Sequence, residues 1–483
     1  MSLITFPARK VGKINEGVKI KEEFPGIYIR ARDKGGTGSA IDGGKKNSVW
    51  SKFVMVVAKS QAIIGLRSMH TESVVADATE NQSWRQGISP GDRESVLETE
   101  NQSSSTMLLS KSNIKIFNVK KFGAVPNGKT DCSKAFLSAW ARACTWKGGA
   151  MVRIPRGTYY VGQPTSFVGP CKGRIQFEIK GVLKAPAGIS GFDDTWIKFR
   201  YVNGLIVYGG GTLDGQGHSA WNYNDCHMNP KCRTLPANLR LDFVTNAIIQ
   251  GIHSLHSKSL HINLFACRNV DIKSITISAP ADSPNTDGIH IGDSSFINIL
   301  HSNIGTGDDC ISLSPGSENI YVYDVTCGPG HGISVGSLGQ RKNEESVVGL
   351  IVKNCTFIGT DNGVRIKTWA PSEPGLVRNL TFEHIFMDNV QNPVVIDQQY
   401  CPFQSCSHKS PSRVRIQNVR YRNIWGTSLS KMAVNFKCSK SVPCKYVELK
   451  NIRLLYYGKD GKASANCSNL DGFAAIEMIP PCL

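Results

Sequence analysis

Several features are scarce in this sequence of 483 residues. It contains no uninterrupted run of about 18 apolar residues, which excludes a transmembrane helix and predicts no membrane partner. Charged residues make up only 19% and hydrophobic residues 40% of the chain, so disorder along its whole length is excluded as well. The 47 glycines and 22 prolines predict many turns and short elements in place of long helices.

Cysteine is absent before Cys132, and all 15 cysteines lie between Cys132 and Cys482. The odd total leaves at least one thiol unpaired or paired between chains. A zinc site would need CxxC-type spacing with histidines nearby, and the sequence has no such cluster. We therefore predict neither a metal nor a cofactor. Four close pairs predict disulfides of an oxidising compartment: Cys226/Cys232, Cys401/Cys406, Cys438/Cys444 and Cys467/Cys482.

The first 112 residues lack a lasting hydrophobic period as well as cysteine. We expect them to be a largely disordered extension outside the functional fold. They hold no clear secretory signal, because the most apolar stretch, residues 53–65, is split by Lys59. Residues 113–483 are predicted to form a single domain that carries the function.

A short pattern recurs in the body of the chain. A polar residue or asparagine is followed by alternating apolar positions, starting near residues 246, 269, 296, 319, 349, 379, 413 and 446. Period-2 alternation predicts strands, because successive strand side chains point to opposite faces. A recurrence of this length predicts a stacked array, and the segments are too short for blades of four strands each. We therefore predict an all-β protein, a single-stranded, right-handed parallel β-helix.

A second strand follows in each repeat. Its apolar residues alternate, as at Ile289/Ile291 and Ile311/Leu313. We expect them inside the solenoid, with the other parity facing solvent. Ahead of the repeats, residues 136–146 have helical spacing. This helix is expected to cap the N-terminal end, since a β-helix must cover its terminal edge.

Chemically active side chains stand at one register of these second strands. Asp287, Asp309 and His331 each precede the first inward aliphatic residue by two positions and are spaced 22 residues apart. Alone, each is more often a turn residue or part of a solvated surface. A shared register is poorly explained by chance, so we expect one functional site. Three more residues are predicted on the same face: Asp308, Arg365 and Lys367.

Four motifs stand in order along these strands: Asn285-Thr286-Asp287, Gly307-Asp308-Asp309, Gly330-His331-Gly332 and Arg365-Ile366-Lys367. With the flanking stretches 332–339 and 395–401, they make the sequence resemble the polygalacturonases, pectin-hydrolysing glycoside hydrolases of family 28. The resemblance covers residues from about 113 to 483. It implies a right-handed parallel β-helix that hydrolyses α-1,4-galacturonosyl linkages in an anionic galacturonan.

The resemblance also implies catalytic roles. Asp308 matches the general acid, and Asp287 and Asp309 match the residues that activate water, with inversion at the anomeric carbon. Inversion needs about 6.5–9.5 Å between acid and base carboxyls, against about 5–5.5 Å for retention. Clustered carboxylates suit an acid among bases, because nearby like charges raise one pKa. His331 matches the motif histidine, with an expected role in tuning the acid's proton or holding substrate.

Substrate contacts are implied in the same way. Arg365 and Lys367 match residues that bind the uronate carboxylate, for which a guanidinium and an ammonium are suited. Tyr400 matches a tyrosine that contacts substrate. Cys310 and Cys327 match a pair that is bridged in relatives.

Two other functions fit parts of the same pattern. A pectate lyase on the same fold would use calcium held by carboxylates, and a wall protein that binds carbohydrate without catalysis is a third possibility. Residues 336–357 are similar to exo-acting plant members, so exo action is favoured over endo action. The net charge of +18 suits a polyanionic substrate. No helix-turn-helix or zinc-finger pattern indicates nucleic acid.

The cellular setting follows from the cysteines and the implied substrate. We expect a monomer that is secreted to the cell wall or the extracellular space. Of the glycosylation sequons, Asn466 is the preferred acceptor. Asn354 and Asn379 lie in repeat strands, where asparagine more often stacks in a ladder inside the solenoid turn.

Overall fold

The computed structural model describes residues 114–482, apart from 192–193, 226–228, 230–231 and 403–409, and five short strands nearer the N-terminus. The chain divides into two units, Met1–Ser110 and Lys111–Leu483. Most of residues 1–112 lie outside the described residues, so their predicted disorder and their separation from the functional fold stay predictions. The five strands there are all paired antiparallel: Ile4–Phe6 with Phe53–Met55, and Ser73–Thr79 with both Tyr28–Ala31 and Ile63–Arg67.

Two long parallel sheets make up the second unit. In the described part of the chain, sheet 1 has eleven strands, and each pairs in parallel with the strand one coil further on. Each coil is therefore one turn of a solenoid. The strands of sheet 1 are Thr165–Val168, Thr195–Arg200, Ala237–Asp242, Ile262–Phe265, Ile289–Gly292, Ile311–Leu313, Ile333–Leu338, Asn362–Trp369, Asn392–Tyr400, Met432–Lys437 and Ser464–Ser468.

Sheet 2 covers the rest of each coil. Early coils contribute two short strands each, and later coils contribute one long strand that replaces both. Its described strands are Lys115–Asn118, Asn127–Asp131, Ala150–Ile154, Thr158–Tyr160, Ile175–Ile179, Val182–Lys184, Leu205–Tyr208, Thr212–Asp214, Thr245–Gln250, His253–Leu255, Arg268–Lys273, Thr276–Ser278, Ser295–Gly305, Glu318–Cys327, Val347–Ile358, Gly375–Val390, Val414–Ser428, Cys444–Tyr456, Leu470–Asp471 and Ala474–Ile479. Short 3-10 turns occupy Val119–Phe122, Gly217–Ser219 and Trp221–Tyr223.

The predicted parallel β-helix is confirmed. Ile289, Ile311 and Ile333 are partners in register on successive coils, and all three side chains are fully buried. The side chains that alternate with these aliphatic residues were expected to be exposed to solvent, and this expectation was wrong in part. Ser312 and Ser334 face outward at positions between the aliphatic residues, yet both are buried, because side chains of neighbouring coils cover them and bond to them.

A helix at Ser133–Cys144 corresponds to the predicted cap. It begins earlier than residue 136 because Asp131 Oδ1 accepts hydrogen bonds from the Ser133 amide (3.0 Å) and hydroxyl (2.6 Å). Its apolar face packs on the first coils. The Trp140 ring lies 5.2 Å from Phe167 and 5.5 Å from Phe199. In the described part of the chain, no helix has the length and apolarity that a membrane crossing requires.

The disulfides agree with the spacing prediction where they are described. Cys438–Cys444 and Cys467–Cys482 are confirmed, as is Cys310–Cys327. Cys232 and Cys401 are disulfide-bonded, and their predicted partners Cys226 and Cys406 lie outside the described residues. One bridge was not predicted, between Cys144 at the helix end and Cys171. Among the described cysteines, three are free and buried: Cys132, Cys267 and Cys355.

Asparagine ladders run along the outside of the solenoid. Asn354 and Asn379 are exposed, so the expected position inside the turn was wrong, and both have positive φ angles that asparagine tolerates. Asn418 Nδ2 donates to Asn379 Oδ1 (3.2 Å), which forms one rung. Asn466 Nδ2 donates to Asn435 Oδ1 (3.1 Å). Glycosylation at Asn466 stays a prediction.

Candidate active site

The register of sheet 1 brings the predicted residues to neighbouring coils. Because Ile289, Ile311 and Ile333 are partners, Asp287, Asp309 and His331 stand at one equivalent position on three successive coils. The backbone fixes this position, since the Gly288 amide donates to the Asp309 carbonyl (2.9 Å) and the Cys310 amide donates to the Gly332 carbonyl (2.7 Å). We call Asp287, Asp308, Asp309 and His331 the site column.

Asp309 is the most enclosed acid of the site column, with a side chain that is 3% exposed. Ser334 Oγ (2.7 Å) and Arg365 Nη2 (2.9 Å) donate to its Oδ1, and Lys367 Nζ (2.9 Å) donates to its Oδ2. Burial alone would raise the pKa of this carboxyl. The two cations and the hydroxyl outweigh burial and lower the pKa of Asp309 to about 2. This acid is therefore ionised over the whole physiological range.

The surroundings of Asp287 shift its pKa in the direction opposite to that of Asp309. Its one described side-chain donor is Ser312 Oγ, 2.6 Å from Oδ2. Burial, followed by repulsion from Asp308 and Asp309, raises the pKa of Asp287 well above its usual range. The site column therefore contains one acid whose pKa is lowered and one acid whose pKa is raised.

Asp308 pairs with the histidine of the next coil. His331 Nδ1 lies 3.0 Å from Asp308 Oδ1, and His331 Nε2 lies 3.4 Å from Asp361 Oδ2. Burial would lower the pKa of His331, but the hydrogen bond and charge of Asp308, with the charge of Asp309, outweigh it and raise the pKa. Asp361 was not predicted. It directly precedes Asn362, which stands two positions before Val364 as His331 does before Ile333, so extending the register by one coil would have indicated it.

The predicted substrate-binding residues converge on the same face. Lys367 Nζ lies 5.5 Å from the centre of the Tyr400 ring, within the range of a cation–π contact. The Trp369 ring meets Tyr400 edge-on at 5.6 Å, and the two residues are partners in sheet 1. The structure thus brings all seven predicted residues together.

The ligand atoms of the site column show whether a calcium ion, as in a pectate lyase, would fit here. Asp308, Asp309 and His331 offer ligand atoms that lie within 4.8 Å of one another. Calcium takes six to eight oxygen ligands, whereas this group includes an imidazole nitrogen. Both oxygens of Asp309 are also occupied by Arg365 and Lys367. These residues do not fit a calcium ion.

The site column is therefore suited to acid–base chemistry and not to calcium binding. A model of the glycosyl hydrolases of family 28 matches residues 144–476 of the chain. The chain belongs to this family. The matched region contains all four motifs, from Asn285 to Lys367. The protein is therefore an enzyme, a glycoside hydrolase.

Plant relatives of this family 28 enzyme are similar over most of its length. An exopolygalacturonase of Platanus acerifolia is 47% identical over 367 residues, which are 76% of this chain and 97% of the relative. An exopolygalacturonase of Oenothera organensis is 49% identical over 352 residues, covering 72% of this chain and 97% of the relative. A polygalacturonase of Gossypium barbadense is 46% identical over 366 residues, covering 75% and 89%.

Solved structures of lower identity share the fold. The endo-xylogalacturonan hydrolase of Aspergillus tubingensis has a TM-score of 0.66 at 23% identity, covering 74% of this chain and 96% of that structure. The polygalacturonase of Erwinia carotovora has a TM-score of 0.56 at 22% identity, covering 73% and 97%. At these identities, the likeness extends to the β-helix of family 28 and no further.

Proposed function

We propose that this family 28 enzyme hydrolyses α-1,4-galacturonosyl linkages in polygalacturonan. One observation carries the proposal: three clustered carboxylates in which Arg365 and Lys367 both bind Asp309. The described basic partners of the other two acids are histidines, His290 at 3.9 Å from Asp287 and His331 at 3.0 Å from Asp308. Relatives that are 43–49% identical and bear the names polygalacturonase and exopolygalacturonase support the substrate.

Asp308 acts as the general acid in this proposal. Its side chain is 20% exposed, against 14% for Asp287 and 3% for Asp309, so it is the acid most open to a bound polymer. A cluster of carboxyls suits this role, because repulsion between like charges favours a protonated acid within the cluster. His331, which bonds to Asp308, holds the acid in position.

Water is activated by the other two acids. Asp309 supplies a fixed negative charge, and Asp287 accepts a proton from the attacking water once it is ionised. Attack by water opposite the leaving group inverts the anomeric carbon. Proton NMR of the first product tests this step, because inversion of an α linkage gives the β anomer and retention gives the α anomer.

Arg365, Lys367 and Tyr400 bind the uronate in this proposal. Both cations bind Asp309 in the free enzyme, and each retains donors that a substrate carboxylate can use. Tyr400 covers Lys367 at 5.5 Å and offers an aromatic face to the sugar. A uronate is therefore preferred to a neutral hexose at this subsite.

Exo action is proposed on the basis of the loop at residues 215–225, which lies ahead of the strand Ala237–Asp242, two coils before the strand that follows Asp287. Asn224 in this loop is buried and donates to the carbonyls of Lys258 (3.2 Å) and Pro284 (2.8 Å). Its Oδ1 accepts a hydrogen bond from Asn285 Nδ2 (2.7 Å). The described part of this loop is thus attached to the motif that carries Asp287. In this proposal it limits the cleft on that side and so favours binding of a chain end.

Incubation with polygalacturonate tests the reaction type. A hydrolase releases reducing ends in the presence of a chelator and forms no product that absorbs in the ultraviolet. Chelator-sensitive release of unsaturated products would instead establish a lyase, and binding without release would establish a carbohydrate-binding protein.

Viscosity separates exo from endo action. An exo enzyme releases many reducing ends before the viscosity of polygalacturonate halves. An endo enzyme halves the viscosity after few cuts. A fast fall in viscosity would contradict the proposed role of the loop at residues 215–225.

We also propose that the enzyme works outside the cell as a monomer. The disulfides described above support an oxidising compartment. Detection of the protein in the wall fraction of expressing tissue tests the location, and sedimentation tests the monomer.

A further inference from the structure

A chain of four side chains begins at Asp287. Ser312 Oγ lies 2.6 Å from Asp287 Oδ2, and His290 Nδ1 lies 2.7 Å from the same hydroxyl oxygen. On its far side, His290 Nε2 lies 3.1 Å from Ser314 Oγ. His290 and Ser312 are partners on neighbouring coils of sheet 1, so the parallel register holds the links at hydrogen-bond distance.

Two arrangements of protons satisfy every link of this chain when any proton on Asp287 lies on Oδ2, the oxygen that bonds to Ser312. When Asp287 is ionised, Ser312 donates to it, His290 donates from Nδ1 to Ser312, and Ser314 donates to Nε2. When Asp287 is protonated, all three bonds reverse, so that His290 carries its proton on Nε2. The tautomer of His290 is therefore coupled to the protonation of Asp287.

The imidazole that joins these links is neutral. Partial burial is the main cause that lowers the pKa of His290 to about 4, and a neutral ring has the one donor and one acceptor that a relay needs. The other charged groups that face the ring are Asp308, Asp309, Lys367 and Arg240.

An inverting hydrolysis leaves a proton on the base in every turnover and removes one from the acid. A bound polymer covers the acids of the site, so a path for the proton through side chains along sheet 1 is useful. Ser312 is buried at 2% exposure, whereas His290 and Ser314 are only half-buried. The chain of side chains thus runs from the interior of the site toward solvent.

We propose that Ser312, His290 and Ser314 are a proton relay between Asp287 and solvent. The proposal rests on the proposed role of Asp287 as a base. The Asp287 proton passes to Ser312 Oγ, the Ser312 proton to His290 Nδ1, the Nε2 proton to Ser314 Oγ, and the Ser314 proton to water. Three O–H or N–H bonds break and form within the relay, and the net change is one proton moved from Asp287 to solvent.

Nitrogen-15 NMR of His290 tests the coupling without substrate. Across the titration of Asp287, we expect the ring to change from the Nε2–H to the Nδ1–H tautomer, with the signal assigned by its loss in His290→Asn. Asp287→Asn is the matched control and should hold one tautomer at all pH values. A wild-type tautomer that does not change with pH would overturn the relay, whether or not the enzyme hydrolyses polygalacturonate.

Kinetics provide the second test. His290→Asn keeps an amide near Ser312 but cannot reach Ser314, and Ser314→Ala removes the last link. We expect each to lower kcat about tenfold, below the 10²–10⁴-fold loss typical of a direct acid or base, with unchanged KM and a larger solvent deuterium isotope effect. Ser166→Ala, an exposed serine of the first strand of sheet 1, should change neither. Wild-type kcat in both variants would contradict the relay and leave His290 as a packing residue.

Discussion

Sheet 1 carries two charged clusters with two lysine or arginine cations each, and they differ in how those cations are shared among the acids. The paired cluster, in the early coils, comprises Asp194, Asp242, Lys198 and Arg240. Arg240 Nε lies 2.6 Å from Asp242, and its Nη1 bonds to Asp194. Lys198 lies 3.6 Å from Asp194 and 3.9 Å from Asp242. Every carboxylate of the paired cluster is therefore neutralised.

The site column has three acids, and the two cations beside it, Arg365 and Lys367, bind the same acid, Asp309. The consequence appears in the pKa values. Burial would raise the pKa of Asp194, but its hydroxyl donor Thr195, with Arg240 and Lys198, lowers it, whereas burial and repulsion raise the pKa of Asp287. The same fold thus produces a stabilising cluster when charges balance and a reactive one when they do not.

Replacing Asp308, an acid that binds neither Arg365 nor Lys367 in the described contacts, should have the largest effect. Asp308→Asn keeps the shape of the side chain but removes the proposed acid, so we expect kcat on polygalacturonate to fall by about 10²–10⁴-fold. Reducing-end assays measure the loss, and circular dichroism checks the fold. Hydrolysis within threefold of the wild type would show that Asp308 is not the acid.

Replacing Lys367 should change the balance of charge at Asp309. In Lys367→Met, a uronate loses a charged partner, so KM should rise roughly 10–100-fold. The pKa of Asp309 should also rise from about 2. Less of this acid is then ionised at low pH, so the acid limb of kcat/KM should shift to higher pH.

Lys445→Met is the matched control for this change, since Lys445 lies on sheet 2 and pairs at 3.3 Å with the exposed Asp471. An exposed pair contributes little, so KM and the pH profile should stay as in the wild type. An unshifted acid limb in Lys367→Met would show that Lys367 does not control Asp309.

The difference between the two clusters could be predicted from the sequence only in part. Stacking converts the 22-residue spacing of Asp287, Asp309 and His331 into one register, so the position of these residues followed from the pattern. The pairing of Arg365 and Lys367 with Asp309 could not be predicted in this way. Both side chains extend across two coils, and the register of the strands does not determine how far a side chain extends.

Contacts between residues at different register positions could not be predicted, for a similar reason. Ser312 stands at the register of His290, not of Asp287, and its bond to Asp287 depends on rotamers. The Cys144–Cys171 bridge joins a helix end to a loop 27 residues away, and no close spacing indicated it.

A smaller effect is expected from pH at His331. Its pKa is raised above the ordinary 6.5, so the stability gained from its charge is complete below pH 6.5 and is lost as pH rises through the raised value. Attraction for an anionic polymer is lost over the same range, and kcat/KM should fall a few-fold, by roughly 1 kcal/mol or less.

His331→Gln should remove this alkaline limb, which pH profiles of kcat/KM would detect. Asp361→Asn is the comparison, because Asp361 is 69% exposed at 3.4 Å from His331 and solvent screens its charge. It should leave the limb in place. A limb that persists in His331→Gln would assign the titration to another group.

The smallest effect on catalysis is expected in the paired cluster. Asp242→Asn removes a buried carboxylate and leaves Arg240 with Asp194 alone, so the free energy of unfolding should fall by about 2 kcal/mol. Activity at 25 °C should stay within twofold, because Asp242 touches no residue of the site column in its described contacts. Thermal denaturation measures the first quantity and reducing-end release the second. If kcat fell as far as in Asp308→Asn while the melting temperature stayed constant, balanced charge would not distinguish a stabilising cluster from a reactive one, and the site would have to extend at least two coils further toward the N-terminus.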